Sequence, residues 1–135
     1  MRKYWIPAMC LLIVCLTCGC AGKYGDVKKT NAEFADLTQA YVADLEKAES
    51  ARDAAKAMNR YADKLEDFWP EMMKLSEKYP ELKDQNSIPE ELKESNAESE
   101  AAARKMAGSF MKIMPYMSDP EVRKAQERLG KIMMQ

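Results

Sequence analysis

From Asn31 to Met72 apolar residues recur every three or four positions: Phe34, Leu37, Tyr41, Leu45, Ala48, Ala51, Ala55, Met58, Ala62, Leu65, Trp69 and Met72. Residues three and four apart share one face of an α-helix, so the stripe predicts helix with a single buried side. The heptad alternation slips once, at Asp44–Leu45, and is regained from Ala48 onward. Ser50-Ala-Arg-Asp53 has the form of a helix start, a hydroxyl cap followed three residues later by an acid. One long helix and a pair over 31–48 and 50–78 both fit the stripe, and the cap signal tips the reading toward two. Pro70 has no amide hydrogen and clashes with the preceding turn, which predicts a kink or an end near Asp67–Trp69.

Beyond Lys78-Tyr79-Pro80 the pattern restarts. Asp84-Gln-Asn-Ser87 reads as a polar loop, and Ser87-Ile-Pro-Glu90 opens a third helix that carries Leu92, Met106, Phe110, Ile113, Met114 and Met117. Ser118-Asp-Pro-Glu121 starts a fourth, with Val122, Ala125, Leu129, Ile132 and Met133 on its stripe. No stretch alternates with period two, so no strand is expected. The fold class is all-α: a three- or four-helix antiparallel bundle or helical hairpin with a heptad-like stripe, occupying 31–135. Small alanines at 48, 51, 55 and 62 suggest a narrow end. Leu65, Phe68, Trp69, Met72 and Leu75 suggest a wide one, expected to meet the apolar end of the third helix and the face of the fourth.

Composition then removes whole classes of function. The chain has no histidine, so imidazole bases, Ser-His-Asp and Cys-His nucleophilic sites, zincins and His-ligated metals are excluded. No glycine pattern forms a phosphate-binding loop. The acids at Glu90, Glu91, Glu94, Glu98 and Glu100 lie among alanine, serine and asparagine, as on a solvated helix face. An enzyme is not expected, and no cofactor is called for.

The four cysteines, Cys10, Cys15, Cys18 and Cys20, crowd the first 20 positions. Arg2 and Lys3 precede about 14 uncharged residues, a basic start and short apolar core in the layout of a secretory signal peptide; a spanning helix needs roughly 20 apolar residues. The segment Leu16-Thr-Cys-Gly19-Cys20-Ala21 resembles the lipobox of bacterial lipoproteins, with Gly19 before the cysteine. That resemblance implies a signal peptide over 1–19 and acylation of Cys20 with palmitate-type chains. Residues 20–30 then read as a flexible tether. Cleavage after Ala21 by an ordinary signal peptidase is the alternative. The implied location is the cell envelope, and the outer membrane in a diderm host. Loss of Arg2 and Lys3 leaves 19 basic against 22 acidic residues, net −3, which disfavours a nucleic-acid partner. Membrane attachment would rest on the acyl chains.

The remaining candidates are apolar. Phe68, Trp69, Met72, Met106, Phe110, Met114 and Met117 form a candidate partner or ligand surface, because methionine-rich faces adapt to what they bind. Met111, Met114 and Met117, spaced by three, could also offer thioethers to Cu(I), though without a His or Cys co-ligand. The expectation is a non-enzymatic, lipid-anchored adaptor module that contacts an envelope protein or a second copy of itself. A periplasmic binder of Cu(I) or of an apolar small molecule is the alternative.

Overall fold

The computed structural model describes residues 22–84 and 87–134. They form an all-α bundle of four helices: α1 (Gly25–Glu46), α2 (Ala51–Lys78), α3 (Lys93–Ile113) and α4 (Pro120–Met133), with short 3-10 turns at Pro80–Lys83, Glu90–Leu92 and Met114–Tyr116. No strand occurs among the described residues. The expected signal peptide, residues 1–19, and Cys20 lie outside them.

The break between α1 and α2 follows from local chemistry. The Ser50 hydroxyl accepts the Asp53 amide at 3.2 Å and donates to the Asp53 carboxylate at 2.7 Å, satisfying one of the orphan donors of a new helix. The long stripe is therefore two helices folded on each other. Asp119 does the same for α4, accepting the Glu121 amide at 2.8 Å, with Pro120 in the first turn. Pro70 neither ends nor interrupts α2, which continues eight residues further to Lys78. The helix stops where Tyr79 precedes Pro80 and leaves the helical region (φ −124°, ψ 69°).

The start of α1 departs from expectation. The glycine-bearing stretch read as a tether through residue 30 is helical from Gly25. Non-local contacts order it. Tyr79 Oη lies 2.9 Å from the Lys23 carbonyl and 2.9 Å from Asp26 Oδ1, a single proton shared between two acceptors. Lys78 pairs with Asp26 at 2.6 Å, Lys23 with Glu81 at 2.7 Å, and the Tyr24 and Tyr79 rings meet at 5.2 Å.

Paired side chains fix the helix directions. Tyr41 stacks on Tyr61 with centroids 4.4 Å apart and Phe34 on Phe68 at 6.0 Å, so α1 and α2 are antiparallel. Asn31 on α1 donates to Asn96 on α3 at 2.8 Å, and Ser99 donates to the Asn31 carbonyl at 3.2 Å; α3 lies alongside α1. Arg128 on α4 bridges Asp63 and Glu66 on α2 at 2.7 and 2.6 Å. With 14 residues against 28, α4 covers only part of α2.

Two apolar clusters result. The larger joins Leu45, Ala54, Met58, Ala62 and Leu65 to Ile113, Val122, Ala125 and Ile132. The smaller, at the other end, holds Tyr24, Val27, Tyr79 and Leu92. This corrects the expected taper. Because each connection reverses the chain, Met72 and Leu75 lie in a cleft beside Leu92 and Asn96 near the start of α3. The apolar end of α3, through Ile113 and Met106, instead joins the cluster that Ala54, Ala55 and Ala62 of α2 also line.

Candidate interaction groove

The helices close three sides of a square through the contacts α1–α3, α1–α2 and α2–α4. The fourth side, between α3 and α4, opens as a groove of about 540 Å³. Its floor is the inner surface of the α1–α2 hairpin at Tyr41, Leu45, Met58 and Tyr61, its α3 wall Met106, Ala107, Phe110 and Ile113, and its α4 wall Gln126, Leu129 and Met133. None of these side chains carries a charge at neutral pH.

The floor stays neutral for a physical reason. Burial pushes the Tyr41 hydroxyl up to about 12, and the neighbouring Tyr61 adds to the shift. Burial raises Tyr61 as well, partly offset by its hydrogen bond with Thr38, 3.3 Å between oxygens. The Tyr41 hydroxyl makes no hydrogen bond to the described residues. It is the one polar group on the groove floor with spare capacity, since Ser109 on the α3 wall already donates to the Met106 carbonyl at 2.7 Å.

The apolar surface continues beyond the groove. Phe110 is 45% exposed, Met111 69% and Met114 52% toward the end of α3, and Met133 60% and Met134 88% at the end of α4. Isolated exposed apolar side chains need no explanation, but a contiguous group beside an apolar groove marks a contact surface.

Of the candidate residues read from the sequence, Met106 and Phe110 line this groove and Met114 lies exposed beyond it. Met117 is half-buried, and its sulfur accepts from Gln126 Nε2 at 3.0 Å. Phe68 is buried against Phe34, Met72 lies in the cleft at the opposite end, and Trp69 is half-buried with its indole N–H enclosed and without an acceptor. The single surface expected from these seven residues is thus divided between the two ends. For the thioether trio, Met111 and Met114 face solvent while Met117 is engaged with α4. The stripe carries Tyr41 and leaves Tyr61 out, and both lie on the groove floor; nothing in the stripe distinguishes a floor from a core.

A larger cleft of about 960 Å³ separates the outer faces of α2 and α4 and is charged. Arg60 and Arg128 there are held by Asp44 and by Asp63 and Glu66, while Arg52, Lys56, Lys124 and Lys131 stand with Glu121 and Glu127. Mixed charges facing each other across water are weakly coupled, so this cleft reads as a solvated seam that leaves the α4 edge basic. No group of three or more His, Cys, Asp or Glu side chains able to hold a metal occurs among the described residues, and no described helix is long and apolar enough to cross a membrane. No known protein family, curated protein or solved structure matches the chain.

Proposed function

We propose that this protein is a non-enzymatic adaptor of the bacterial cell envelope, anchored through an acylated Cys20, that receives an amphipathic helix of another envelope protein in the α3–α4 groove. The observation that carries the reading is the uncharged groove together with the exposed Phe110, Met111, Met114 and Met133 beside it. A helix laid along α3 and α4 would close the fourth side of the square and present anchors at positions i, i+3/i+4 and i+7 to the floor. A compact small molecule in the groove would leave Met111, Met114 and Met134 uncovered. In a diderm host the proposed site of the anchor is the outer membrane, as the lipobox resemblance implies.

A photocrosslinker at Phe110 or Met133 in cells, with Lys29 on the far helix as control, tests this. The expected result is one heterologous adduct from both groove positions and none from Lys29, lost when Ala107→Trp fills the groove of a protein that still melts cooperatively. An adduct at twice the chain mass would replace the partner with a second copy. Adducts indifferent to Ala107→Trp would refute the groove.

A second reading, an apolar ligand, is favoured by one feature, the unpartnered Tyr41 hydroxyl. A molecule with an apolar body and a hydrogen-bonding group would suit a cavity of this size. Native mass spectrometry of protein extracted from its membrane would reveal such a passenger as added mass abolished by Ala107→Trp.

A further inference from the structure

We infer that the bundle has almost no leash, so that its Tyr24/Tyr79 end rests on the lipid headgroups and its groove is carried into the aqueous space at the far end. The inference rests on acylation of Cys20 as proposed above. Its new content comes from the ordered start of α1.

Tyr79 Oη holds the Lys23 carbonyl at 2.9 Å, Lys23 Nζ reaches Glu81 at 2.7 Å, and Tyr24 Oη reaches the same Glu81 oxygen at 3.0 Å. The chain is thus fastened to the end of α2 at residue 23, before the helix begins at Gly25. Between an acylated Cys20 and that fastening lie three residue steps, which span at most ~11 Å fully extended. A lipid-linked cysteine sits at the headgroup level, so the surface around Lys23, Tyr24, Pro80 and Glu81 has no room to leave the bilayer. In the flexible-tether reading, through residue 30, the same domain would have swung on seven further residues.

The opposite end is set by helix length. Tyr41 follows Tyr24 by 17 residues, ~25 Å along a helix at 1.5 Å per residue. The groove therefore opens well beyond the headgroups when α1 stands up from the membrane. The flanks offer the bilayer no one-sided charge to lie on: on the outer faces of α1 and α3, Glu33, Asp36, Glu94, Glu98 and Glu100 are matched by Lys29, Lys93, Arg104, Lys105 and Lys112, with Glu33 and Glu100 paired to Lys29 and Arg104. The contact at the clasped end has no cationic patch of its own. Lys23 and Lys78 are paired with Glu81 and Asp26, and Glu90 and Glu91 are close by. The leash, and not affinity for lipid, holds the end in place.

The test uses the lipidated protein purified from its membrane and reconstituted into vesicles of zwitterionic and anionic lipid carrying headgroup spin labels. No cysteine follows Cys20, so Ser87→Cys at the clasped end and Ser118→Cys in the turn before α4, at the opposite end, each provide a single exposed site for a fluorophore. The expected result is quenching of the Ser87→Cys label and little at Ser118→Cys. Insertion of about twelve Gly/Ser residues after Ala21, with a root-mean-square span of ~20 Å, should abolish that difference. Equal quenching at both ends before the insertion would show a bundle lying flat and overturn the inference, as would a difference that survives the insertion. Flotation of the vesicles reports on the anchor separately: protein that does not float refutes acylation of Cys20 itself.

Discussion

Gly108 and Gly130 sit inside α3 and α4, where glycine weakens a helix by leaving the unfolded chain more freedom to lose. A Cβ built at either position meets no heavy atom within 4 Å. Replacing each by alanine should therefore add helix propensity without a clash, by ~0.8–1 kcal/mol for Gly108 in mid-helix and about half that for Gly130 near the end of α4. The double variant gains ~1.3 kcal/mol if the sites are independent, as positions on different helices with no shared contact should be. For a domain of this size ~1 kcal/mol moves the melting temperature by about 4 °C, so the pair should raise it by about 5 °C in a circular-dichroism melt. The two sites should separate when function is measured. By helical spacing Gly130 falls on the α4 side that carries Gln126 and Met133, whereas Gly108 faces α1 beside Lys105 and Lys112. A partner helix approaching the groove would meet a new methyl at 130 but not at 108. Gly130→Ala should weaken the Phe110 crosslink while Gly108→Ala leaves it intact. A double variant that melts at or below the parent temperature would refute the helix geometry on which the argument stands.

Three further outcomes follow from the packing and the charges. Ser50→Ala removes the cap of α2 and should cost ~1 kcal/mol, read as a lower melting temperature and recovered by Ser50→Asp. Met58 is 1% exposed where the groove floor joins the larger cluster, so Met58→Ala should cost ~2–5 kcal/mol; Met111→Ala, 69% exposed, should leave the melt unchanged. The Lys23 ammonium holds the Glu81 carboxyl down to about 2, and the Lys78 ammonium lowers Asp26. Both folded values lie below their unfolded ones, so their stabilisation is full above the unfolded pKa, near 4, and is lost as pH falls from there toward 2. Residues 22–26 should loosen over that window, visible as faster proton exchange of the Gly25 and Lys28 amides, which are bonded to the Gly22 and Tyr24 carbonyls, with Glu81→Gln flattening the response.

The elements differ in how far the chain itself announces them. Ser50 and Asp119 act through neighbours within three residues, and both helix starts are readable because the whole interaction lies in a short window. Pro70 does not end α2, which runs on to Lys78 with Leu65 and Phe68 buried before the proline and Leu75 packed against the smaller cluster after it; a proline's local cost is legible in the chain, the packing on either side of it is not. The start of α1 is unreadable in principle: Gly22-Lys-Tyr-Gly25 is loop-like in isolation and is ordered by Tyr79 and Glu81, more than fifty residues away. The groove is the same problem at larger scale. Met106 and Phe110 were legible as apolar helix positions, but whether α4 covers them depends on the α3–α4 turn and on Arg128 drawing α4 toward Asp63 and Glu66. No stripe of residues encodes a side left open.

The shortness of α4 also sets the order in which the molecule comes apart. Alongside α4 the bundle has four helices and the larger cluster; past its end, α1, α2 and the start of α3 enclose only Tyr24, Val27, Tyr79 and Leu92, with Leu75, Leu82 and Ile88 against them. So small a cluster gives its amides little protection, and that tier should open as a separate unit while the rest stays folded. Trp69, the single tryptophan after Cys20, lies beyond Leu65 on the way from the one tier to the other. Its fluorescence reports the seam, whereas helical ellipticity is dominated by the more stable tier, so a gap between the two signals on heating is the temperature range over which the bundle stands half undone.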